Sequence, residues 1–405
     1  MILPFDALNV ILDNMNPLGR EKISIFDAQD RVVAGYVYSL LDLPVSDNSA
    51  MDGYAVRFED IKDIPSKLSV KGVIKAGDSV VGLSVEKGEC FRIMTGAPIP
   101  ENADTVVEFE ATQEKDGVVN ILKQKKKYAN VRFKGEDIKA GKKIDFIGEV
   151  INPYRLSRIV STGNVFLPVY KKPSVCVIAT GDELAYPGDS VNESTIDSNS
   201  FFVKYILKDL NLDVSYLGIA RDVDESLIEL MEYAQNYDII ITTAGISFGD
   251  FDVVTNIEKK MNINWSFKYV KQKPGKPFAF GKIGNSRIFS FPGNPVSTAF
   301  CSFFYLIPAI KKMMGYKKYM HTPIDALLTK PMSKRNDRVH FNRVSVKFKD
   351  GNFYAEPFET QGSNIIESIA SCNGFAMVDS DKIGEIGKGE RIKVFLYDFE
   401  SVFDK

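Results

Sequence analysis

Residues 238–252 read DIIITTAGISFGDFD. The stretch opens as a short apolar run of β-formers at 239–241, breaks into small residues from Thr242 to Gly249, and ends on the acids Asp250 and Asp252. A buried strand that opens into a Gly/Ser/Thr loop is a common way to build a ligand site in an α/β protein. The strand is rigid, the small residues let backbone N–H groups approach a ligand, and the acids hold a metal or a hydroxyl. The same residues also fit a strand followed by a solvated loop, so the surroundings decide.

Working outward, strand and helix alternate over 170–319. Strands are expected at 174–179, 214–219, 239–241, 265–270 and 288–291. Helices are expected at 200–209, at 224–233, after Asp252 (with Val253, Val254, Ile257 and Met261) and at 295–314. Short links between such elements imply a doubly wound, mostly parallel sheet covered on both faces. No GxGxxG occurs, so a dinucleotide fold is not indicated.

In an open α/β sheet, ligands bind outside the C-terminal ends of the strands. The loops there carry Thr180-Gly181-Asp182-Glu183, Arg221-Asp222, the opening stretch, and Pro292-Gly293-Asn294-Pro295-Val296-Ser297. Loops at the opposite edge, 208–212 and 234–238, read as ordinary caps. Glu183, Asp222 and Asp252 can share one Mg²⁺, a hard cation that prefers oxygen ligands. Thr180, Thr242, Thr243, Ser247 and the N–H groups of Gly181, Gly245 and Gly249 suit phosphate oxygens. The helix starting near Pro295 aims partial positive charge at an anion. The 271–277 loop, KQKPGKP, holds Lys273 and Lys276 between prolines. The ligand expected from these types is a phosphorylated or nucleotidyl compound with Mg²⁺, and the reaction a phosphoanhydride or anion transfer.

Composition narrows the classes. With 405 residues, two to four domains are expected. The net charge of −2 argues against a dedicated nucleic-acid binder. No apolar run approaches the ~20 residues of a membrane span, and the start, MILPFDALNVILDNMN, lacks a basic n-region and a cleavage site. The expected compartment is the cytoplasm, with no membrane partner. Cys90, Cys176, Cys301 and Cys372 show no CxxC spacing, and His321 and His340 are the only histidines. A Ser–His triad or a His-rich metal site is therefore not expected.

Residues 1–42 read as helix, turn, helix, with apolar stripes over 6–14 and 25–41. Together with 140–169, where Asn152 caps a helix opened by Pro153, they form an expected helical base. Residues 43–139 read as an inserted β-rich domain with strands at 69–74, 79–85, 90–94 and 105–110. Three of its segments stand out: SDNSAMDGYAV (46–56), RIMTGAPIPENAD (92–104) and VRFKGEDI (131–138), each also compatible with turn chemistry. Residues 320–405 read as a small β domain with strands at 337–348, 352–355, 374–378 and 391–397.

These segments, with ATGDEL, KPGKPFAFG and FPGNPVSTAF, resemble in order the molybdopterin molybdenumtransferases of the MoeA type, relatives of the C-terminal domain of gephyrin. The resemblance spans essentially the whole chain. It implies a four-part architecture: a helical base, a β-rich insertion, a MoaB/Mog-like α/β domain and a C-terminal β-barrel-like domain. It further implies insertion of molybdate into adenylylated molybdopterin, with Mg²⁺ and release of AMP, in an elongated homodimer. The cleft would lie between the α/β domain of one subunit and the β-rich domain of the other. Asp52, Thr95 and Asp137 would then enter from the partner, and Glu183, Asp222 and Asp252 match acids of the α/β domain, with Asp252 foremost for the metal. Lys273, Lys276 and Ser297 match residues that hold the pterin phosphate or molybdate, and Arg338 and Ser371 would complete the oxyanion site. Expected partners are the molybdopterin adenylyltransferase and the chaperones of cofactor-accepting molybdoenzymes. Where the family commonly has Gly-Gly-Val-Ser-Val-Gly, this chain has Ala244-Gly245-Ile246-Ser247-Phe248-Gly249. Two alternatives stay open: a gephyrin-type pterin-binding scaffold, and a molybdopterin adenylyltransferase.

Overall fold

The structure, a computed structural model, describes residues 1–190, 194–221, 224–243 and 260–403. Its α/β part is a six-stranded sheet in the order Val214–Ala220, Val175–Thr180, Ile239–Thr243, Ser286–Phe291, Ala279–Ile283, Asn264–Phe267. The first four strands run parallel, Ala279–Ile283 runs against them, and Asn264–Phe267 at the edge runs with them again. Side chains of successive strand residues point to opposite faces, and both faces are buried. Val175, Val177, Ile239 and Ile241 join one core with Val203 and Leu207 of the Asn199–Lys208 helix. Cys176, Ile178 and Ile240 join the other with Leu227, Met231 and Ala234 of the Asp224–Ala234 helix. The doubly wound expectation holds, with one unexpected antiparallel strand, Ala279–Ile283, inside the edge strand Asn264–Phe267. The helix expected after Asp252 lies, apart from its end, outside the described residues.

The long helix expected at 295–314 is present but interrupted. It runs as α-helix over Pro295–Cys301, as a π turn over Ser302–Leu306, and as α-helix again over Ile307–Met313. Pro308 lies just past the π turn and has no N–H to give to the ladder.

Residues 1–42 depart from the expected helix pair. The first helix is real, Pro4–Asp13, and buries Ala7, Leu8, Ile11 and Leu12. It packs into the core of the α/β part. The second is absent: residues 20–38 form the strand Arg20–Ser24, a 3₁₀ turn Ile25–Asp27 and the short strand Val37–Tyr38. Distant backbone explains the loss. Val33 N–H donates to Glu149 O (3.1 Å), Ala34 N–H to Pro168 O (2.9 Å), and Val32 O accepts from Tyr170 N–H (2.9 Å). Arg20–Ser24 itself pairs with Phe166–Tyr170. Asn152 does cap the Pro153–Ser161 helix, its side chain accepting from Arg155 N–H at 2.9 Å.

The β-rich region is a six-stranded sheet ordered Thr105–Glu108, Gly53–Val56, Glu89–Ile93, Ser66–Ile74, Val118–Ile121, Thr112–Lys115. The strand expected at 79–85 is instead a turn, with Gly82 at φ 81 and Val81 exposed. At the C-terminus, Val339–Lys349, Asn352–Pro357, Ile324–Leu328, Arg391–Leu396 and Gly374–Val378 pair in that order, and the last returns to the first. The result is a closed barrel, which leaves no sheet edge open. Its seam is tight, since a Cβ on Gly374 would lie 2.7 Å from Val394 Cγ1.

Candidate functional site

The C-terminal ends of two adjacent parallel strands bring Thr180, Thr242 and Thr243 together, with Pro292 following the end of a third. Ile178 and Ala179 pair with Thr242 and Thr243, and Thr243 pairs with Phe291, just before Pro292. All three threonines are buried. The hydroxyls of Thr180 and Thr242 find no hydrogen-bond partner among the described residues. A buried hydroxyl without a partner is costly, so two side by side at one sheet edge mark a place that accepts or donates to something else. The Thr243 hydroxyl is taken up by Ser200 Oγ at 3.2 Å.

The first loop is shaped around Glu183. Gly181 sits at φ 141, and a Cβ there would fall 2.6 Å from Glu183 Oε2, so the carboxylate folds back over the glycine. Arg221 Nη1 ties the loop down by donating to Asp182 O (2.9 Å) and Leu184 O (3.0 Å). Glu183 itself is exposed and supplies hard oxygen donors of the kind Mg²⁺ prefers. Among the described residues no group of three His, Cys, Asp or Glu is close enough to hold a metal. Asp222, Asp252, Gly245, Ser247 and Gly249, with Ala244 and Phe248, lie outside the described residues.

A further loop at this edge was not singled out from sequence. Asp197 is buried, accepts from Ser200 N–H (3.0 Å) and from Tyr216 Oη (3.0 Å), and so starts the Asn199–Lys208 helix. Asn199 Nδ2 donates to Gly293 O at 2.7 Å, which places this loop against the Pro292–Ser297 segment. Asp-Ser-Asn-Ser reads in sequence as a helix cap, and only the bond to Gly293 shows its second role.

The Pro292–Ser297 segment turns sharply into its helix. Thr298 Oγ1 donates to Pro292 O (2.7 Å), and Ser297 and Thr298 N–H both donate to Asn294 O (3.0 Å). Ser297 is buried. Val296 N–H donates to Ser363 O at 3.1 Å, which joins this helix start to the C-terminal barrel. The barrel also pairs Gln272–Lys273 with Val339–His340. Gln272 is buried, donates to Gly275 O (3.0 Å) and accepts from Tyr305 Oη, so it braces the 272–276 turn. Gly275 has φ 84, and a Cβ there would lie 2.8 Å from Cys301 Sγ.

Cations gather where the two parts meet. Burial first, and then the charges of Arg338 and Arg343, hold the Lys273 ammonium below its ordinary pKa. Asn336 Oδ1 accepts from Arg338 N–H (3.1 Å), Arg338 Nε (3.4 Å) and His340 Nε2 (3.0 Å). Burial, Lys273, Lys334 and Arg338 push His340 down to about 4, so it is a neutral donor at pH 7. Arg343 is buried and bound to Ser368 Oγ (3.0 Å) and Gly362 O (2.8 Å). Asn336, His340 and Arg343 had no signal in the sequence beyond their nearness to Arg338. Lys276 is exposed, and Ser371 donates its hydroxyl to Glu367 within its own turn.

The remaining candidates lie in the N-terminal half. Asp52 Oδ1 accepts from Thr95 N–H (2.7 Å) and Thr95 Oγ1 (2.8 Å), and these bonds hold its carboxyl below the usual range. Asp137 pairs with Arg158 at 2.5 Å. The structure thus joins Asp52 to Thr95, sets the Thr180, Thr242 and Pro292 segments at neighbouring strand ends, and pairs the Lys273 turn with the barrel. The two groups keep separate partners within the chain.

Comparison with known proteins accounts for nearly the whole length. Residues 4–163 match the MoeA N-terminal region (domain I and II), 176–312 the probable molybdopterin binding domain, and 325–397 the MoeA C-terminal region (domain IV). The molybdopterin molybdenumtransferase of Haemophilus influenzae is 33% identical over 384 residues, covering 93% of this chain and 94% of the relative. Molybdopterin molybdenumtransferase 2 of Mycobacterium tuberculosis is 31% identical over 401 residues, covering 95% and 97%. A solved structure of the molybdopterin biosynthesis MoeA protein from Pyrococcus horikoshii superposes with a TM-score of 0.82 at 26% identity, covering 98% of this chain and all of that one.

Proposed function

Since the chain belongs to the MoeA family of molybdopterin molybdenumtransferases, we propose that it inserts molybdate into adenylylated molybdopterin, with Mg²⁺-dependent release of AMP. The observation that carries this reading is the pair of orphaned hydroxyls, Thr180 and Thr242, at the ends of neighbouring parallel strands. They suit phosphoryl oxygens, as do the Gly181 loop and the start of the Pro295–Cys301 helix. Lys273, Lys276 and Arg338, with Ser297 and Ser371, hold the second anion, molybdate or the pterin phosphate. Desolvated cations stabilise developing negative charge far better than solvated ones, and Lys273 is partly desolvated.

Glu183, Asp222 and Asp252 would hold Mg²⁺, which when bound neutralises charge on the phosphate oxygens. Asp52, Thr95 and Asp137 complete the cleft from a second copy in a homodimer. Exposed apolar side chains of the N-terminal region support that arrangement, among them Phe26, Leu40, Val45 and Tyr154. The adenylyltransferase that makes the substrate and the chaperones that receive the product are the protein partners this role calls for. No helix among the described residues is long and apolar enough to cross a membrane.

The test is direct. Purified protein, adenylylated molybdopterin, Mg²⁺ and molybdate should yield AMP and active cofactor, and Asp252→Ala should lower the rate at least about 100-fold, the loss typical when a charge-stabilising group is removed. Full turnover by that variant would overturn the metal assignment. Adenylylation of molybdopterin by ATP without molybdate would favour the adenylyltransferase reading.

A further inference from the structure

A separate cavity of about 900 Å³ opens between the Asn199–Lys208 helix, the Ile307–Met313 helix and the C-terminal barrel. Its floor is aromatic. Phe303, Phe375 and Tyr397 pack with ring centroids 5.1–6.2 Å apart, and His321 stacks on Phe303 at 3.9 Å. Ile366 and Ile369 form one wall. The His321 ring is fixed, because Nε2 donates to Phe303 O at 2.7 Å, which leaves Nδ1 without a proton.

Two lysines line this apolar space, the exposed Lys208 and the half-buried Lys311. Burial holds the Lys311 ammonium below its ordinary pKa. Among the described residues it makes no ion pair. Its neighbours are the Tyr316 ring, 5.9 Å away, and the neutral His321. Lys208 and Asp209 at the mouth are exposed and opposite in charge. A partly desolvated ammonium without a counter-ion is a binding opportunity, since an incoming anion supplies the missing charge. The size is that of a single small-molecule site. Walls on three sides favour a compact ligand over an extended peptide.

We propose that this cavity binds a flat aromatic carboxylate, with its ring on Phe303, Phe375 and Tyr397 and its carboxylate on Lys311. The Lys311 end of the cavity lies away from the site described above, although Ala299 and Ala370 bring its other end beside Ser297 and Ser371. Lys311 lies fourteen residues beyond Ser297 along the same helical run, roughly 20 Å at 1.5 Å per residue. The proposal therefore stands whether or not the assigned reaction is correct.

Calorimetric titration of the full-length protein with naphthalene-2-carboxylate and with its neutral isostere, naphthalene-2-carboxamide, tests it. The carboxylate should bind at least about 10-fold tighter, the gain of one desolvated charge pair. Lys311→Met should make the two ligands equal, and Lys311→Arg should restore the preference. Both variants should keep the thermal unfolding midpoint of the unaltered protein, which shows that they are folded. Equal binding of the two ligands by the unaltered protein, no binding of either, or an undiminished preference in Lys311→Met would each overturn the proposal.

Discussion

Asn336 shows how one amide can set the aim of a cationic site. Its Oδ1 is shared by Arg338 and His340, so the Arg338 backbone and side chain are both referred to one point. Loss of such a bond costs about 0.5–1.5 kcal/mol, or roughly 2- to 12-fold in affinity. Asn336→Ala should raise KM for molybdate by about that factor and leave kcat for AMP release nearly unchanged, as initial rates against molybdate concentration would show. His340 adds a pH dependence. Its pKa in the fold is near 4, against 6.5 ordinarily, so between those values the unfolded chain binds a proton that the folded chain refuses. Stability therefore falls as pH drops through that window. His340→Gln keeps a donor to Asn336 but does not titrate. The loss of urea midpoint between pH 7 and pH 5 should be smaller in that variant.

At the scale of elements, strand packing holds Asp52 in place. Gly53 follows it in the Gly53–Val56 strand, and a Cβ there would lie 2.1 Å from Val107 O and 2.9 Å from Glu108 Cα. Both contacts are backbone, so the strand has no flexible neighbour to push aside. Gly53→Ala should cost about 1–3 kcal/mol, the usual range for overpacking, seen as a lower thermal midpoint. It should also reduce AMP release although Asp52 and Thr95 are both retained. The glycine is visible in sequence only as a turn former after Asp52; its structural reason is the close approach of the Thr105–Glu108 strand.

Across the whole molecule, Phe304 joins three parts of the chain. Its ring meets Phe5 of the first helix at 5.5 Å, and Phe341 and Phe395 of the barrel at 5.1 and 5.4 Å. Phe304→Ala should lower unfolding free energy by about 3–5 kcal/mol, measured by denaturant titration, and leave the hydrogen bonds around Thr243 and Asp197 in place. This junction also shows where sequence reading stops. The parallel sheet was legible because its buried strands are continuous apolar runs bounded by small residues. The threonine edge was legible because the loops at one end differ in kind from those at the other. Residues 25–41 were not, since Val32, Val33 and Val37 satisfy a helical spacing and their true partners lie over 100 residues later. The Asp197 loop was missed for the same reason, since its Asn199–Gly293 bond spans 94 residues, whereas Asn336 was missed although its partners Arg338 and His340 are close in sequence.

That separation has a consequence in time. The Pro4–Asp13 helix is made first, yet its apolar face rests on residues near the end of the α/β part. Besides the Phe5–Phe304 contact, Lys312 Nζ donates to Leu12 O at 2.7 Å and Arg287 Nε to Asn14 O at 2.9 Å. At 5–20 residues per second, about 300 residues of further synthesis leave that face uncovered for roughly 15–60 s. During that interval the apolar face of residues 4–13 has none of the neighbours it packs against, so this segment completes its packing only once the end of the α/β part has been made.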